Sequence, residues 1–419
     1  MILLINPPSS FLIDQRVHPP LGLLYLATYY NKYSNDECRI VDLSGYSPTS
    51  WDDLVYSSGY GDAELIGITA TTPQFSTALS LAGEYQRITT IGGPHATSDP
   101  QSCITVDHVV RGEGELALLN FREWDGHIIT YPQIKDIDTI PYPDRRLIDI
   151  KSYHYQIDGE EATTIMTSRG CPYDCAFCQH PWHGVRMHSA EYITDELKYL
   201  RNDLGYKAVM FFDDIFTLKK KRLCKVAKAL KTLSMIYRCF IRSDIVDRNT
   251  LKLLRETGCR EVGFGAESGS QEILNTISKH NTVDRNTWLV EECRRLGIRT
   301  KAFLMVGLPG ESNESCQATY DWIKEVAPDS WDITIYQPYK GSPISNNPLE
   351  YDIKIDYHRY SDMWYKGKPG RYHSCVATSR LSSNEIVAWR SRIETDLGGS
   401  RHDHPADLYS KGKIDGSSR

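Results

Sequence analysis

The sequence has no apolar run able to cross a bilayer. Its longest stretch without a charged residue, positions 65–83, carries six Thr or Ser residues, a Pro and a Gln, too many polar groups for a hydrocarbon interior. The opening Met1-Ile2-Leu3-Leu4-Ile5-Asn6-Pro7-Pro8 has no basic flank and too short an apolar core for a secretory leader. The expectation is a cytoplasmic chain with no membrane partner. An excess of charge is also missing: 48 Lys and Arg against 54 Asp and Glu give −6 over 419 residues. No global field therefore draws the chain to a polyanion, and no nucleic acid is expected as a partner. Gly and Pro, 29 and 20 residues, are too few for a collagen-like or low-complexity chain, and no internal repeat is present. The eleven Cys are odd in number and thinly spread, which excludes a disulfide framework. Three of them fall within eight residues, a spacing that points to reduced thiols around a metal.

What is present is a chain long enough for two or three domains at roughly 150 residues each. Residues 1–130 alternate apolar runs with amphipathic segments. Positions 1–5, 39–43, 65–70, 89–92 and 108–111 read as strands, and 21–30, 51–57 and 75–87 as helices. This pattern predicts a five-stranded, doubly wound, Rossmann-like α/β domain. Residues 131–160, rich in Pro, Asp and Tyr, read as a linker. A second alternation fills 161–345, with strands at 163–167, 208–212, 238–242, 261–266, 299–306 and 332–336. Helical spacing is clear in Ile193, Leu197, Leu200 and Leu204, and again in Leu289, Cys293 and Leu296 before a terminating Gly297. Six such units predict a partial (β/α)6 barrel rather than the full eight of a closed barrel. Residues 346–419 turn polar and Tyr-rich and predict a small C-terminal subdomain ending in a disordered tail.

The most specific motif is Ser168-Arg169-Gly170-Cys171-Pro172-Tyr173-Asp174-Cys175-Ala176-Phe177-Cys178, placed directly after the first strand of the second alternation. A zinc site normally takes four ligands in paired C-x2-C arrangements, and no second pair exists here. Three thiolates on one C-x3-C-x2-C loop suit three irons of a four-iron cubane and leave the fourth open to a chelating ligand. Three buried structural thiols are the plain alternative.

This loop, at the mouth of a six-fold βα barrel, resembles that of the radical S-adenosylmethionine (SAM) enzymes. The resemblance covers most of 160–345 and implies a [4Fe-4S] cluster held by Cys171, Cys175 and Cys178, with SAM chelating the open iron. It also implies a one-electron donor such as flavodoxin or ferredoxin. By the same resemblance Phe177 meets adenine, and Asp213 or Asp214, standing where the family often has Gly-Gly-Glu, accepts from the methionine ammonium. Arg242, Ser243 and Glu267 fall where the family holds the carboxylate and ribose, and Gly307, in Val306-Gly307-Leu308-Pro309-Gly310-Glu311, on the adenine side. All stand at C-terminal strand ends, where barrel enzymes build their sites.

In the first domain the conspicuous residues also sit at strand ends, the ligand-binding edge of an open parallel sheet. The dinucleotide signature Gly-x-Gly-x-x-Gly is missing after the first strand. What stands there instead is Pro19-Pro20-Leu21-Gly22, then Thr69-Ala70-Thr71, Gly92-Gly93-Pro94 and Gly112-Glu113. The set resembles the cobalamin-binding domain fused to many radical SAM enzymes. The resemblance assigns Pro20, Leu21, Gly22, Thr69, Thr71, Gly92, Gly93, Pro94, Gly112 and Glu113 to the cobalamin tail. A ligand-free relic of such a domain is the competing reading. The D-x-H-x-x-G motif that supplies a lower axial histidine in other cobalamin proteins is absent. His18, the one histidine in the first loop, is not expected to bind cobalt.

The function implied is a cobalamin-dependent methyltransferase acting on an unactivated carbon of a small-molecule or peptide substrate, through methylcobalamin and a 5′-deoxyadenosyl radical. Two rivals remain: the same cofactors driving a rearrangement, ring contraction, cyclisation or dehydration, and a non-catalytic cobalamin sensor or carrier, for which an open iron has no use. Tyr336, Tyr339, Tyr351, Tyr357, Tyr360, Tyr365 and Tyr372 cluster near the barrel's end, where packing accounts for most of them. Cys375 reads as a buried thiol.

Overall fold

The computed structural model describes residues 1–10, 12, 14–179, 184–362 and 372–398, with the backbone alone at 361 and 362. They form two compact units that divide between Tyr155 and Gln156.

In the first unit β1 (Ile2–Asn6), β2 (Cys38–Asp42), β3 (Leu65–Thr69), β4 (Ile88–Gly92), β5 (His108–Val110) and β6 (Ile128–Ile129) make one parallel sheet in the order β2-β1-β3-β4-β5-β6. Strand β1 alternates cleanly. Ile2 and Leu4 pack on one face with Leu23, Ala27 and Tyr30 of α1 (Leu21–Tyr33). Leu3 and Ile5 pack on the other with Val55 of α2 (Trp51–Ser57) and Ala78 and Leu81 of α3 (Phe75–Glu84). All four strand residues are at most 2% exposed, and each such side chain contributes about 1.5–3 kcal/mol of burial. The sheet has six strands where the sequence predicts five. The extra one, Ile128-Ile129, is two residues long and offers no alternation to read. The short helices α4 (Pro94–Ser98) and α5 (Glu115–Leu119) escape notice for the same reason, being little more than one turn.

The expected linker is partly built into both units. It runs through three 3-10 turns that bury Ile137, Ile140 and Arg145, and Asp136 and Asp144 accept from the backbone N–H groups of Asp138 and Arg146. Isolated buried residues of this kind carry no period. Its last residues already belong to the second unit, where β7 (Gln156–Ile157) pairs antiparallel with β8 (Glu160–Ile165).

The second unit holds six parallel strands, as the sequence predicts: β8, then, after the small antiparallel ribbon of β9 (Ser168–Arg169) and β10 (Arg186–Met187), β11 (Ala208–Phe211), β12 (Ile236–Ile241), β13 (Cys259–Glu267), β14 (Arg299–Val306) and β15 (Ser330–Ile335). Their order is β15-β14-β13-β12-β11-β8, with β7 at the far edge. Helices α6 (Ala190–Lys198), α7 (Lys220–Thr232), α8 (Arg248–Glu256), α9 (Gln271–Thr276), α10 (Val283–Leu296) and α11 (Asn313–Val326) connect them. Gly297 ends α10 at φ +72°, in the left-handed region that glycine adopts without strain.

The region from residue 346 continues this unit. After α12 (Pro343–Asn346), the ribbon of β16 (Lys354–Ile355) and β17 (Val376–Ala377) leads to the fifteen-residue helix α13 (Ser383–Leu397), which packs on β14, β15 and α11. A capping box marks its start: Ser382 accepts from the Glu385 N–H while the Glu385 carboxylate accepts from the Ser382 N–H. The expected tail, 399–419, lies outside the described residues, as does Tyr365.

Where α13 covers the end of β14, Glu311 is fully buried and its Oε2 accepts from the N–H groups of Gly307 and Leu308. Burial pushes its pKa up to about 8. Between the ordinary carboxylate range and that value the folded chain holds a proton that the unfolded chain has released, so stability falls as pH rises, by at most about 1.4 kcal/mol per unit. The denaturant midpoint is expected to fall steadily from pH 5 to pH 8, and Glu311→Gln to flatten that slope.

Candidate active site

The cysteine loop leaves β9 through Gly170, whose φ is +93° and where a Cβ would lie 2.5 Å from the Gly184 carbonyl oxygen. Only glycine fits that approach. Further along, the Ala176 N–H donates to the Ile277 carbonyl and the Cys178 N–H to that of Cys175. Cys171, Cys175 and Cys178 line one cavity of about 530 Å³ together with Phe177, Asp214, Arg242, Glu267 and Lys279.

That cavity exists because β13 carries glycine at two inward positions. A Cβ on Gly263 would stand 2.7 Å from the ring of Phe240 and 3.0 Å from that of Phe303. A Cβ on Gly265 would collide with the Glu267 carboxylate and the Lys279 amine. The strand is therefore hollowed where its neighbours β12 and β14 place aromatic rings.

Asp213 and Asp214, undivided in the sequence reading, separate here. Asp213 is 1% exposed and accepts from the Thr167 N–H (2.9 Å), the Thr167 hydroxyl (2.8 Å) and the Ser168 hydroxyl (2.6 Å), which ties the end of β11 to the root of the cysteine loop. Burial raises its pKa although these donors oppose the shift. Asp214 is exposed and faces the cavity.

Arg242 lines the cavity and is committed to the loop. Its guanidinium lies 3.6 Å from the Tyr173 ring centroid, with Nη1 3.7 Å from the Cys175 sulfur. Nη2 donates to the Lys279 carbonyl at 2.6 Å, and Nε and Nη2 hold Asp244 at 3.0 and 3.2 Å. Ser243 is turned away from the cavity: its hydroxyl donates to Asn286 at 2.6 Å and accepts from Asn281 at 2.7 Å, inside a buried network. Gly307, at φ +91°, gives its N–H to Glu311 and lies against Ile386 and Val376, apart from the cavity lining. Of the seven positions assigned to SAM, the structure thus brings Phe177, Asp213, Asp214, Arg242 and Glu267 to the cavity, and it uses Ser243 and Gly307 elsewhere.

Lys279 is the residue that sequence reasoning missed. It is buried, its Nζ is 2.6 Å from Glu267 Oε1, and it lies 5.7 Å from the centroid of the Phe177 ring. Glu267 adopts φ +60° where the β13–β14 register shifts, a conformation uncommon outside glycine. The only legible trace of this pair was the Gly-x-Glu spacing of Gly265 and Glu267.

The electrostatics suit a cationic cluster. Burial pushes the Cys171 thiol up and the Cys178 thiol to about 12, and the neighbouring thiols and Asp214 add to both shifts. Three thiolates gathered in this way need a strong positive charge among them, which iron supplies. Among the described residues no three Cys, His, Asp or Glu groups converge on a single ion.

A second cavity of about 400 Å³ adjoins the first, sharing Phe177, Cys178, Gln179, Glu267 and Phe303, and is lined further by Met305, Asp332, Thr334, Tyr336, Gln337 and Tyr339. Asp332 pairs with Lys301 at 2.9 Å.

In the first unit the residues assigned to cobalamin follow the C-terminal edge of adjacent strands. Pro20, Leu21 and Gly22 open α1, Thr69 ends β3 and Thr71 caps the turn that follows it. Gly92 ends β4, Gly93 follows it and Pro94 opens α4, and Gly112 and Glu113 follow β5. Gly93, at φ +98°, would place a Cβ 3.0 Å from the Ala70 carbonyl oxygen and the Thr69 hydroxyl. Two groups are already engaged: the Thr71 hydroxyl donates to Gln74 at 2.8 Å, and the Gly112 N–H donates to Thr97 at 3.1 Å. No Cβ contact is met at Gly22, which faces open space. The edge sits at the switch point between β1 and β3, where open sheets bind ligands. His18 packs edge-on against Tyr155 at 4.8 Å.

A model of the radical SAM superfamily matches residues 165–323, and one of the B12 binding domain matches 15–122. An uncharacterized methyltransferase of Pyrococcus horikoshii is 32% identical over 405 residues, 86% of each chain. The chain belongs to the cobalamin-dependent radical SAM family. As a radical SAM enzyme with a B12 domain it uses a [4Fe-4S] cluster, SAM and cobalamin. Its relatives are not all methyltransferases: an anaerobic magnesium-protoporphyrin IX monomethyl ester cyclase of Rubrivivax gelatinosus is 26% identical over 87% of this chain and 73% of its own. The radical SAM methyltransferase TsrM of Kitasatospora setae, solved with cobalamin and [4Fe-4S] cluster, shares the fold at a TM-score of 0.71 and 17% identity, covering 94% of this chain and 90% of that one. Among the described residues no helix of this radical SAM enzyme is long and apolar enough to cross a membrane.

The clamp by Arg242 is testable. Arg242→Ala leaves Asp244 and the Lys279 carbonyl without their cation, a loss of about 2 kcal/mol or more at a buried site. After anaerobic reconstitution, iron content is expected to fall well below that of wild type, with the thermal midpoint lowered less than by Cys175→Ala and Arg242→Ala combined.

Proposed function

We propose that this enzyme transfers a methyl group to an unactivated carbon of a small-molecule or peptide substrate. The observation that supports the reading best is the pair of adjoining cavities in the barrel unit: a charged one beside the three cysteines and a mainly apolar one beyond Phe177 and Phe303. When bound, the cluster and SAM supply a 5′-deoxyadenosyl radical, and cobalamin supplies the methyl group.

The chain's own residues do the holding. Cys171, Cys175 and Cys178 bind three irons and leave the fourth to SAM. Asp214, at the cavity wall, accepts from the SAM ammonium, while Asp213 and Arg242 fix the loop that carries the thiolates. Lys279 and Glu267, locked to each other at 2.6 Å, offer one donor and one acceptor at the border of the two cavities. Phe177 stands at that border as well and serves as the adenine platform. Met305, Thr334, Tyr336 and Tyr339 enclose the substrate carbon and keep water from a radical that would otherwise be quenched. In the first unit Pro20, Leu21, Gly22, Thr69, Thr71, Gly92, Gly93, Pro94, Gly112 and Glu113 seat the cobalamin tail, the glycines letting it approach the backbone.

A second reading keeps these cofactors and forms a ring without transferring a methyl group. The cyclase among the relatives favours it. The two separate on one measurement: with methyl-deuterated SAM, the product is expected to gain three mass units of deuterium per methyl. A product formed with 5′-deoxyadenosine and carrying no deuterated methyl would establish the second reading instead.

A further inference from the structure

The charge of this protein is unevenly placed. Between Asp214 and Asp244 the sequence has no Asp or Glu and nine Lys or Arg, in a chain whose net charge is −6. Most of them fall on or beside α7, whose Leu223, Val226, Ala227 and Leu230 are buried while Lys219, Lys220, Lys221, Lys225, Lys228 and Lys231 are exposed. Lys221, Lys225, Lys228 and Lys231 follow one another at helical spacing and form a single stripe. Facing elements neutralise only part of it: Lys220 pairs with Asp247 at 3.2 Å and Lys225 with Glu191 of α6 at 3.0 Å. On the other flank α8 adds Lys252 and Arg255 to the positive surface, with Glu256 held by Lys252.

The stripe adjoins the root of the cysteine loop. Arg222, in the first turn of α7, donates through Nη2 to the Thr167 carbonyl at 2.5 Å and through Nε to that of His188 at 2.8 Å. Thr167 immediately precedes Ser168-Arg169-Gly170-Cys171, and His188 directly follows the ribbon strand paired with Ser168 and Arg169. The N-terminal end of the basic surface thus stands beside the root of the loop that carries the thiolates.

We infer that the α7 face is the docking surface for an acidic one-electron donor protein of the flavodoxin or ferredoxin class, which gives one electron to the cluster and departs oxidised by one electron. The inference rests on the radical SAM reading of the cysteine loop. Charge complementarity carries the choice of partner. A bilayer would need the apolar face of the helix, which is buried in the unit. A single-stranded nucleic acid would call for aromatic platforms, and positions 217–236 contain no Phe, Tyr or Trp.

Cys224, in the middle of the stripe, is the one cysteine of the eleven that is exposed, and it makes the face observable. The test uses the reconstituted holoenzyme and a reduced, acidic flavodoxin as the probe. In wild type, flavodoxin is expected to bind with an affinity that falls as salt rises and to protect Cys224 from alkylation. The triple variant Lys221→Glu, Lys228→Glu, Lys231→Glu should bind it at least about tenfold more weakly at low salt, with its cluster still reduced by dithionite as in wild type. Unchanged affinity in that variant, or undiminished Cys224 alkylation under saturating flavodoxin, would overturn the proposal. So would wild-type flavodoxin binding in the variant accompanied by lost binding to a short RNA or to phosphatidylserine vesicles, which would give the face to another partner. A reconstituted wild-type protein that holds no four-iron cluster by iron and sulfide analysis would instead refute the cluster reading on which the proposal stands.

Discussion

Gathering three thiolates in one half-buried pocket is the constraint around which the second unit is organised. Burial and the neighbouring groups push the Cys171 and Cys178 thiols up, so the loop closes productively only around a positive centre and only if its backbone is held from outside. The holding is done by charges one layer back. Arg242 spans Tyr173, Cys175, Asp244 and the Lys279 carbonyl, and Asp213 binds Thr167 and Ser168 at the loop's root. Arg242 and Asp213, which the resemblance assigned to SAM, line the cavity and also hold the loop, and this accounts for strand ends of β11 and β12 that are polar yet buried.

The architecture was legible because it is periodic. Six parallel strands of the barrel unit and the first five of the other sheet announce themselves through alternation, and Cys171, Cys175 and Cys178 through spacing alone. What escaped was short or isolated: the two-residue strand Ile128–Ile129, the turns that bury Ile137 and Ile140, and a helix, Ser383–Leu397, whose charged outer face hid its apolar contacts although Ser382 and Glu385 marked its start.

The site was legible at the level of strand ends and illegible at the level of side-chain direction. Ser243 stands at the end of a barrel strand, as expected, but its hydroxyl turns to Asn281 and Asn286, two residues that become neighbours only through the fold. Lys279 reaches the cavity from a loop between two helices, where no strand-end rule looks. The glycines Gly263 and Gly265 of β13 carry no ligand-binding atom of their own in the sequence; their effect is to hollow the strand and create the space itself. Sequence spacing identifies which residues arrive at an edge; which of them then face the ligand depends on hydrogen bonds made across thirty or more residues.

The central claim is that three cysteines leave one iron of the cluster open to SAM. The most direct test is electron–nuclear double resonance of the reduced cluster in protein loaded with SAM carrying a nitrogen-15 amino group. The account predicts a nitrogen-15 coupling to the cluster that is absent without SAM. A cluster signal that shows no such coupling while SAM is bound at full occupancy would contradict it.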